Sequence, residues 1–310
     1  MKKAKRPWPA ELSLAIALAL LMTGLSVARP NFLNVANLVN LVRQISINGI
    51  LAVGVTYVLL TGGVDLSLGS VVALTGVIAA SFAHPGGSVA VAALLGVAAG
   101  AGCGVANGWL VTRGRVAPFI VTLGMMTAAR GLALLLSGGR PVSNVSSAFM
   151  QIGGGDLAAV PVPIWIFFTT ALLSRVFLKN TRWGRHVYAV GGNENAAKAS
   201  GVHVRSVKML AYTVCGAMAG LAGVVLASRI TTGQPNAGIG YELDAIAAVV
   251  IGGTSLNGGV GGVGGTILGA LLMGVINNGL DLLNVSSYYQ QIVKGLIIVG
   301  AVWLDRSKDR

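Results

Sequence analysis

The side chains equipped for polar chemistry are few, and most lie within long apolar runs. Asn37, Asn40, Gln44 and Asn48 are spaced three, four and four apart, which places them on one stripe of a helix. Amides both donate and accept hydrogen bonds, the equipment needed to pass a polyhydroxylated solute. Polar groups within hydrocarbon are costly unless they face protein, water or substrate. Two readings are open: an interhelical hydrogen-bond seam, or the lining of a pathway. On the second, Asn40, Gln44 and Asn48 are lining candidates, and Asn277, Asn278, Gln290 and Gln291 could supply facing groups.

Charges inside the apolar runs are rarer. Lys294 falls about two turns beyond Ser287, so Asp281, near the end of the preceding run, is its expected partner in a structural ion pair. Asp65 follows Gly62-Gly63 and is expected to cap the helix it opens. Glu242 and Asp244 open another run, where acidic groups suit a helix N-terminus. No chain of buried Asp, Glu and His exists to relay protons, which weakens an ion-driven carrier.

Catalytic motifs do not appear. No Lys follows a Gly, so the phosphate-binding G-x-x-x-x-G-K-[ST] loop is missing. His84, His186 and His203 all fall in loops, where they serve neither an intramembrane protease nor an H-E-x-x-H metal site. Cys103 and Cys215 lie in apolar stretches without C-x-x-C spacing and read as small core residues. No catalytic, cofactor or metal site is expected.

The elements that position these groups follow from composition. The 310-residue chain is 54% hydrophobic and only 10% charged, with mean hydropathy +0.78. A soluble domain carries roughly 25% charged residues; here there is too little charge to coat a water-facing surface. Apolar runs recur near 10–28, 36–60, 66–83, 88–112, 118–137, 162–178, 208–229, 242–254, 262–284 and 287–304. Each approaches the ~20 residues that cross a bilayer as a helix. We therefore expect one all-α polytopic membrane domain over 1–310 with about ten spans. The eighth run is short and leads into the Gly-rich stretch Gly252–Gly265, so a broken or re-entrant segment is expected there. The first run could also be read as a signal peptide ending at Ser26-Val27-Ala28; retaining it completes an even count.

The net charge of +13 is not a nucleic-acid signal, because the basic residues sit at the ends of apolar runs. With an even count, one side collects Lys2, Lys3, Lys5, Arg6, Arg113, Arg115, Arg175, Lys179, Arg182, Arg185, Lys198, Arg205, Lys208, Arg306, Lys308 and Arg310. The other keeps Arg29, Arg140 and Arg229, while Arg43, Arg130 and Lys294 fall inside runs. The positive-inside rule places both termini in the cytoplasm of a multi-pass inner-membrane protein.

Packing is legible in glycine. Gly96, Gly100, Gly104 and Gly108 make one smooth helix face, echoed by Gly216 and Gly220 and by Gly265 and Gly269. Small residues let helix backbones approach closely in lipid; contact within the chain is the preferred reading over a dimer contact. Leu95-Gly96 leading to Asn107-Gly108 resembles Leu268-Gly269 leading to Asn278-Gly279, in runs of opposite direction. A 5+5 inverted repeat would produce that relation.

The basic loop 179–208 holds one further element. Asn193 can cap a short helix from Glu194, with Glu194 and Lys198 at i,i+4 and Gly201 as its stop. So short a helix is unstable alone. It lies on its own bundle or on lipid headgroups, or the small faces of Ala196, Ala197 and Ala199 fit a groove on another protein.

Several stretches resemble the ribose/xylose/galactoside type of ABC importer permease. They are Thr61-Gly62-Gly63-Val64-Asp65-Leu66-Ser67-Leu68-Gly69-Ser70; Thr181-Arg182-Trp183-Gly184-Arg185 with Ala189-Val190-Gly191-Gly192-Asn193, Ala196-Ala197 and Ser200-Gly201-Val202; and Glu242 through Leu256 with Gly258-Gly259. Asn278-Gly279-Leu280 and Ile292-Val293-Lys294-Gly295 continue the pattern. The resemblance implies a type-II-importer-like bundle, paired or homodimeric, with a cytoplasmic ATPase of two fused cassettes and a periplasmic sugar-binding protein. ATP would bind the ATPase and not this chain. Carried over by residue, the coupling contact falls on Gly184, Arg185, Gly191, Asn193, Ala196, Ala197, Ser200 and Gly201, within a cytoplasmic segment of about 179–208. Arg29, Arg140 and Arg229 are candidates for docking the binding protein. A branched-chain amino-acid permease, an ion-driven carrier and a non-transporting scaffold are the alternatives.

Overall fold

The computed structural model describes residues 10–306; the basic residues Lys2, Lys3, Lys5, Arg6, Lys308 and Arg310 lie outside this range. Thirteen α-helices are described: α1 (Ala10–Ala28), α2 (Val35–Leu60), α3 (Leu68–Phe82), α4 (Val89–Thr112), α5 (Pro118–Ser137), α6 (Ser147–Gly154), α7 (Val162–Asn180), α8 (Arg182–Gly192), α9 (Glu194–Ala199), α10 (Val204–Arg229), α11 (Tyr241–Ile251), α12 (Val263–Leu282) and α13 (Ser287–Arg306). A two-stranded hairpin, β1 (Asp156–Leu157) and β2 (Val160–Pro161), joins α6 to α7.

Local chemistry sets the boundaries. Asn34 and Ser88 side chains accept from the first-turn amides of α2 and α4, and Thr181 accepts from Gly184 N to begin α8. Pro118 occupies the first position of α5, and Gly138 ends that helix in the left-handed region, at φ 61°.

Each of the ten apolar runs is helical. Among the described residues, seven helices are long and apolar enough to cross a membrane: α1, α2, α4, α5, α7, α10 and α12. The windows of α2, α10 and α12 are 61% buried and that of α1 only 6%, so the former make the core and α1 lies at its edge. Leu18, Leu21, Met22 and Leu25 of α1 pack on α12 and the start of α2, with Leu25 against Gly279.

The α4–α10 contact is the glycine seam. A Cβ on Gly100 would strike the backbone of Gly216 and Gly220, and one on Gly216 would strike Gly100 and Gly104. Gly220 likewise meets Gly96 and Val97. The second pair behaves alike, with Gly265 against Gly252 and Gly269 against Ala248. Dispersion summed over such close backbones holds helices together where lipid offers no hydrophobic driving force.

Among the helices formed by the ten apolar runs, α3 and α11 are the short ones, at 15 and 11 residues. A non-helical segment precedes each, 61–67 before α3 and 230–240 before α11. The second lies along α3: Gly233 packs on Gly76, Val77 and Ala80, and Gly238 on Gly69 in the first turn. Beyond α11 the chain stays irregular from Gly252 to Gly262, as the sequence predicts, and Gly259 N donates to Leu60 O at the end of α2. The interruptions ahead of α3 and ahead of α11 are not foreseen.

Candidate functional sites

Both interrupted helices begin on a buried carboxylate. Asp65 is 1% exposed and accepts from Ser67 N at 2.9 Å and Ser67 Oγ at 2.6 Å. Asn107 Nδ2 of α4 donates to Ser67 Oγ at 3.2 Å, and the Cys215 thiol of α10 also reaches Asp65. Asp65 is therefore not the cap itself; Ser67 holds that position, and Asp65 pins the turn leading into it. In α11, Asp244 is 5% exposed and its Oδ2 accepts from Lys294 Nζ at 2.9 Å and Asn277 Nδ2 at 3.5 Å.

The Lys294–Asp281 pairing expected from sequence does not form. Asp281 ends on the opening turn of α13, where its carboxylate accepts from Gln290 Nε2 at 2.8 Å. Lys294, one turn further along α13, turns toward α11 and finds Asp244. Helical reach, and not nearness in sequence, chooses the partner.

The amide stripe divides. Asn37 and Asn278 exchange hydrogen bonds at 3.0 and 2.8 Å, the seam reading. Asn48 is half-buried with a buried Oδ1 that has no partner among the described residues; Gln44 is half-buried and Asn40 exposed. Asn277 joins the Asp244–Lys294 cluster, and Gln291 is exposed on α13. Of the six pathway candidates, Asn277 and Asn278 are thus engaged with other polar side chains of the bundle.

Sequence reasoning gave Arg130 no role here, and Glu242 only that of an acidic group at a helix N-terminus, which it occupies in the first turn of α11. Arg130 Nη1 of α5 donates to the carbonyls of Pro235 and Ala237 at 2.6 and 2.9 Å, tying α5 to the segment that enters α11. The Glu242 carboxylate lies against Gly69. A lone Arg in an apolar run is the signal that could have found the first.

In the 179–208 segment, Asn193 Oδ1 accepts from Ala196 N at 2.9 Å, and Gly201 follows the helix at φ 83°, the predicted cap and stop. Glu194 does not pair with Lys198; it pairs with Lys208 of α10 at 2.6 Å, because α9 folds back on the first turn of α10. Of the coupling candidates, Arg185, Asn193, Ala196, Ser200 and Gly201 are exposed. Three are turned inward. Gly184 is buried with no room for a Cβ beside Leu178 O, Gly191 packs on Leu60 O and Gly259 N, and Ala197 is 5% exposed. The small face read on α9 is therefore split: Ala197 meets its own bundle, while Ala196 and Ala199 face out. Tyr188 donates to Gly261 O at 3.1 Å, and burial pushes its phenol up from the usual range. Beside these residues lies a groove of 1310 Å³ whose walls include Arg113, Trp183, Lys198 and Arg205.

Arg29 and Arg140 are exposed and Arg229 half-buried. They share the end of the bundle that carries α6 and the hairpin: Ser228 Oγ donates to Phe149 O, and Val142 bridges Gly233. Arg43 reaches that end as well, pairing with Asp156 at 2.9 Å. Arg113, Arg115, Lys198, Arg205 and Lys208 line the groove at the opposite end. Cys103 and Cys215 are free thiols, and no group of His, Cys, Asp and Glu suited to a metal occurs among the described residues.

Comparison with known proteins gives this geometry a family. The family model described as branched-chain amino acid transport system / permease component matches residues 37–302. The ribose import permease protein RbsC of Escherichia coli K12 is 46% identical over 307 residues, 98% of this chain and 96% of that protein. RbsC of Bacillus subtilis 168 is 46% identical over 295 residues, covering 94% and 92%. The L-arabinose ABC transporter permease protein AraH of Azospirillum brasilense is 38% identical over 286 residues, covering 92% and 84%. No solved structure matches. With this breadth of likeness on an all-helical, membrane-spanning bundle, the chain belongs to the branched-chain amino acid transport system / permease component family, among the permeases of ABC importers.

Proposed function

We propose that this chain is the membrane-spanning permease subunit of an ATP-binding-cassette importer carrying a monosaccharide of the ribose type into the cytoplasm. The observation that carries this reading is the 46% identity to ribose import permeases across 98% of the chain. The chain works with partners: a cytoplasmic double-cassette ATPase that binds and hydrolyses ATP, a periplasmic sugar-binding protein, and a second permease copy. Both termini face the cytoplasm, and the 179–208 segment receives the ATPase through the exposed side chains of α9 and the adjoining groove.

The finer architecture is a type-II-importer-like bundle of about ten crossings arranged as a 5+5 inverted repeat. Support comes from matched packing: α2 lies on α11 and α12 as α10 lies on α3 and α4. An Asn of the following helix also reaches the start of each short helix, Asn107 to Ser67 and Asn277 to Asp244. Discontinuous helices in corresponding positions are how many transporters build a central site.

The test is reconstitution in proteoliposomes with the ATPase and binding protein encoded beside this gene, measuring uptake of labelled ribose, L-arabinose and leucine. ATP-dependent sugar uptake requiring all three components is the expected result. Leucine uptake without sugar uptake would favour the second reading, which the family description motivates. Uptake by the permease alone under an ion gradient would replace both with a secondary carrier.

A further inference from the structure

Two buried acceptors in the corner between α11, α12 and α13 have no donor. Asp244 is 5% exposed and Asn277 4%, and Oδ1 of each is without a hydrogen-bond partner among the described residues. Beside them stands Lys294, whose ammonium holds Asp244 Oδ2 at 2.9 Å while its side chain stays 27% exposed. An ammonium carries three donors, and Asp244 Oδ2 accepts from one of them. Leaving a buried acceptor unpaired is unfavourable, so such a group marks a place where a donor comes from outside.

The chemistry of the missing group can be stated. It must donate to two oxygens and accept from an ammonium within one small volume. Adjacent hydroxyls on a carbon ring do this, because each O–H donates once and still accepts. The ammonium and the carboxylate cancel in charge, so the cluster draws in neither a free cation nor a free anion. Gln291, exposed one turn before Lys294, offers an amide on the approach.

We infer that Asp244, Asn277 and Lys294 form a hydroxyl-binding station on the translocation path, occupied in passing by a neutral monosaccharide. This rests on the importer reading above. The ion pair is then part of substrate handling as well as a tether for α13.

The experiment uses the reconstituted three-component importer. Asp244→Asn combined with Lys294→Gln removes both charges and leaves polar amides in their place. The double variant is expected to assemble, and to hydrolyse ATP when sugar-loaded binding protein is added. Its ribose uptake is expected to fall about tenfold or more, the scale on which a lost polar substrate contact is felt. A second measurement does not depend on that variant folding. In a background with Cys103→Ala and Cys215→Ala, Gln291→Cys should react with a membrane-impermeant thiol reagent, more slowly while ribose is being transported. Wild-type uptake by the neutral double variant would overturn the inference, making the pair a tether only. So would failure of Gln291→Cys to label, or labelling indifferent to ribose. If the unmodified importer carries no sugar at all, the importer reading itself fails, and that result is separate.

Discussion

Gly69, in the first turn of α3, lies against Gly238, in the segment that leads into α11, so closely that neither has room for a Cβ: each added carbon would meet the other's carbonyl oxygen. Two interrupted helices from distant parts of the chain thus meet at one backbone contact. Arg130 secures the same segment from α5, through the carbonyls of Pro235 and Ala237.

Gly69→Ala should therefore weaken the protein and its transport together. Overpacking of this kind costs about 1–3 kcal/mol, and here the obstacle is backbone that cannot swing aside. Gly124→Ala, on the open face of α5 where nothing approaches within 4 Å, is the control. Thermal unfolding in detergent should show a lowered midpoint for the first and none for the second. Equal midpoints would remove the contact from the account.

Ser228 bridges two elements at once. Its Oγ donates to Phe149 O and accepts from Gly153 N, each at 2.6 Å. Ser228→Ala removes both of these buried bonds between α10 and α6, at about 0.5–1.5 kcal/mol for each hydrogen bond lost. We expect α6 to detach before the core melts, seen as early proteolysis near residues 147–157. Protection equal to the parent would contradict this.

How much of this was legible in the sequence depends on what sets each feature. The ten apolar runs became helices because twenty apolar residues in lipid have few other options, and the glycine faces at 96–108 and 216–220 met because close backbones need them. The Asn193 cap and the Gly201 stop were local chemistry and equally readable. Lys294 found Asp244 and not Asp281, and Glu194 found Lys208 and not Lys198. Those choices depend on the azimuth of one helix against another, which residue spacing along one helix does not encode. The inward turn of Ala197, beside outward Ala196 and Ala199, is hidden for the same reason.

The reciprocal amide pair Asn37–Asn278 should behave as a seam. Asn37→Leu leaves Asn278 without its partner, so a loss of about 0.6–2 kcal/mol is expected, the range for interhelical hydrogen bonds in membranes. Asn37→Leu with Asn278→Leu should recover part of that loss, because no amide remains unpaired. A double-mutant cycle on thermal stability checks this. Additive losses would separate the two residues.

The inward and outward residues of α9 give the sharpest contrast on the coupling side. Ala197 is 5% exposed, packed among the buried side chains of its own bundle, so Ala197→Arg should destabilise the permease and reduce its yield, whatever its partner does. Ala196 is exposed. Ala196→Arg should leave folding within about 0.5 kcal/mol of the parent, as surface changes usually do. It should still lower ATPase co-purification and sugar uptake, because a long cation replaces the small surface offered to the partner. Pull-down of the ATPase by each variant, beside its melting temperature, separates the two effects. Full ATPase capture by Ala196→Arg would move the coupling contact off α9, leaving the groove walled by Arg113, Trp183 and Arg205 to bear it.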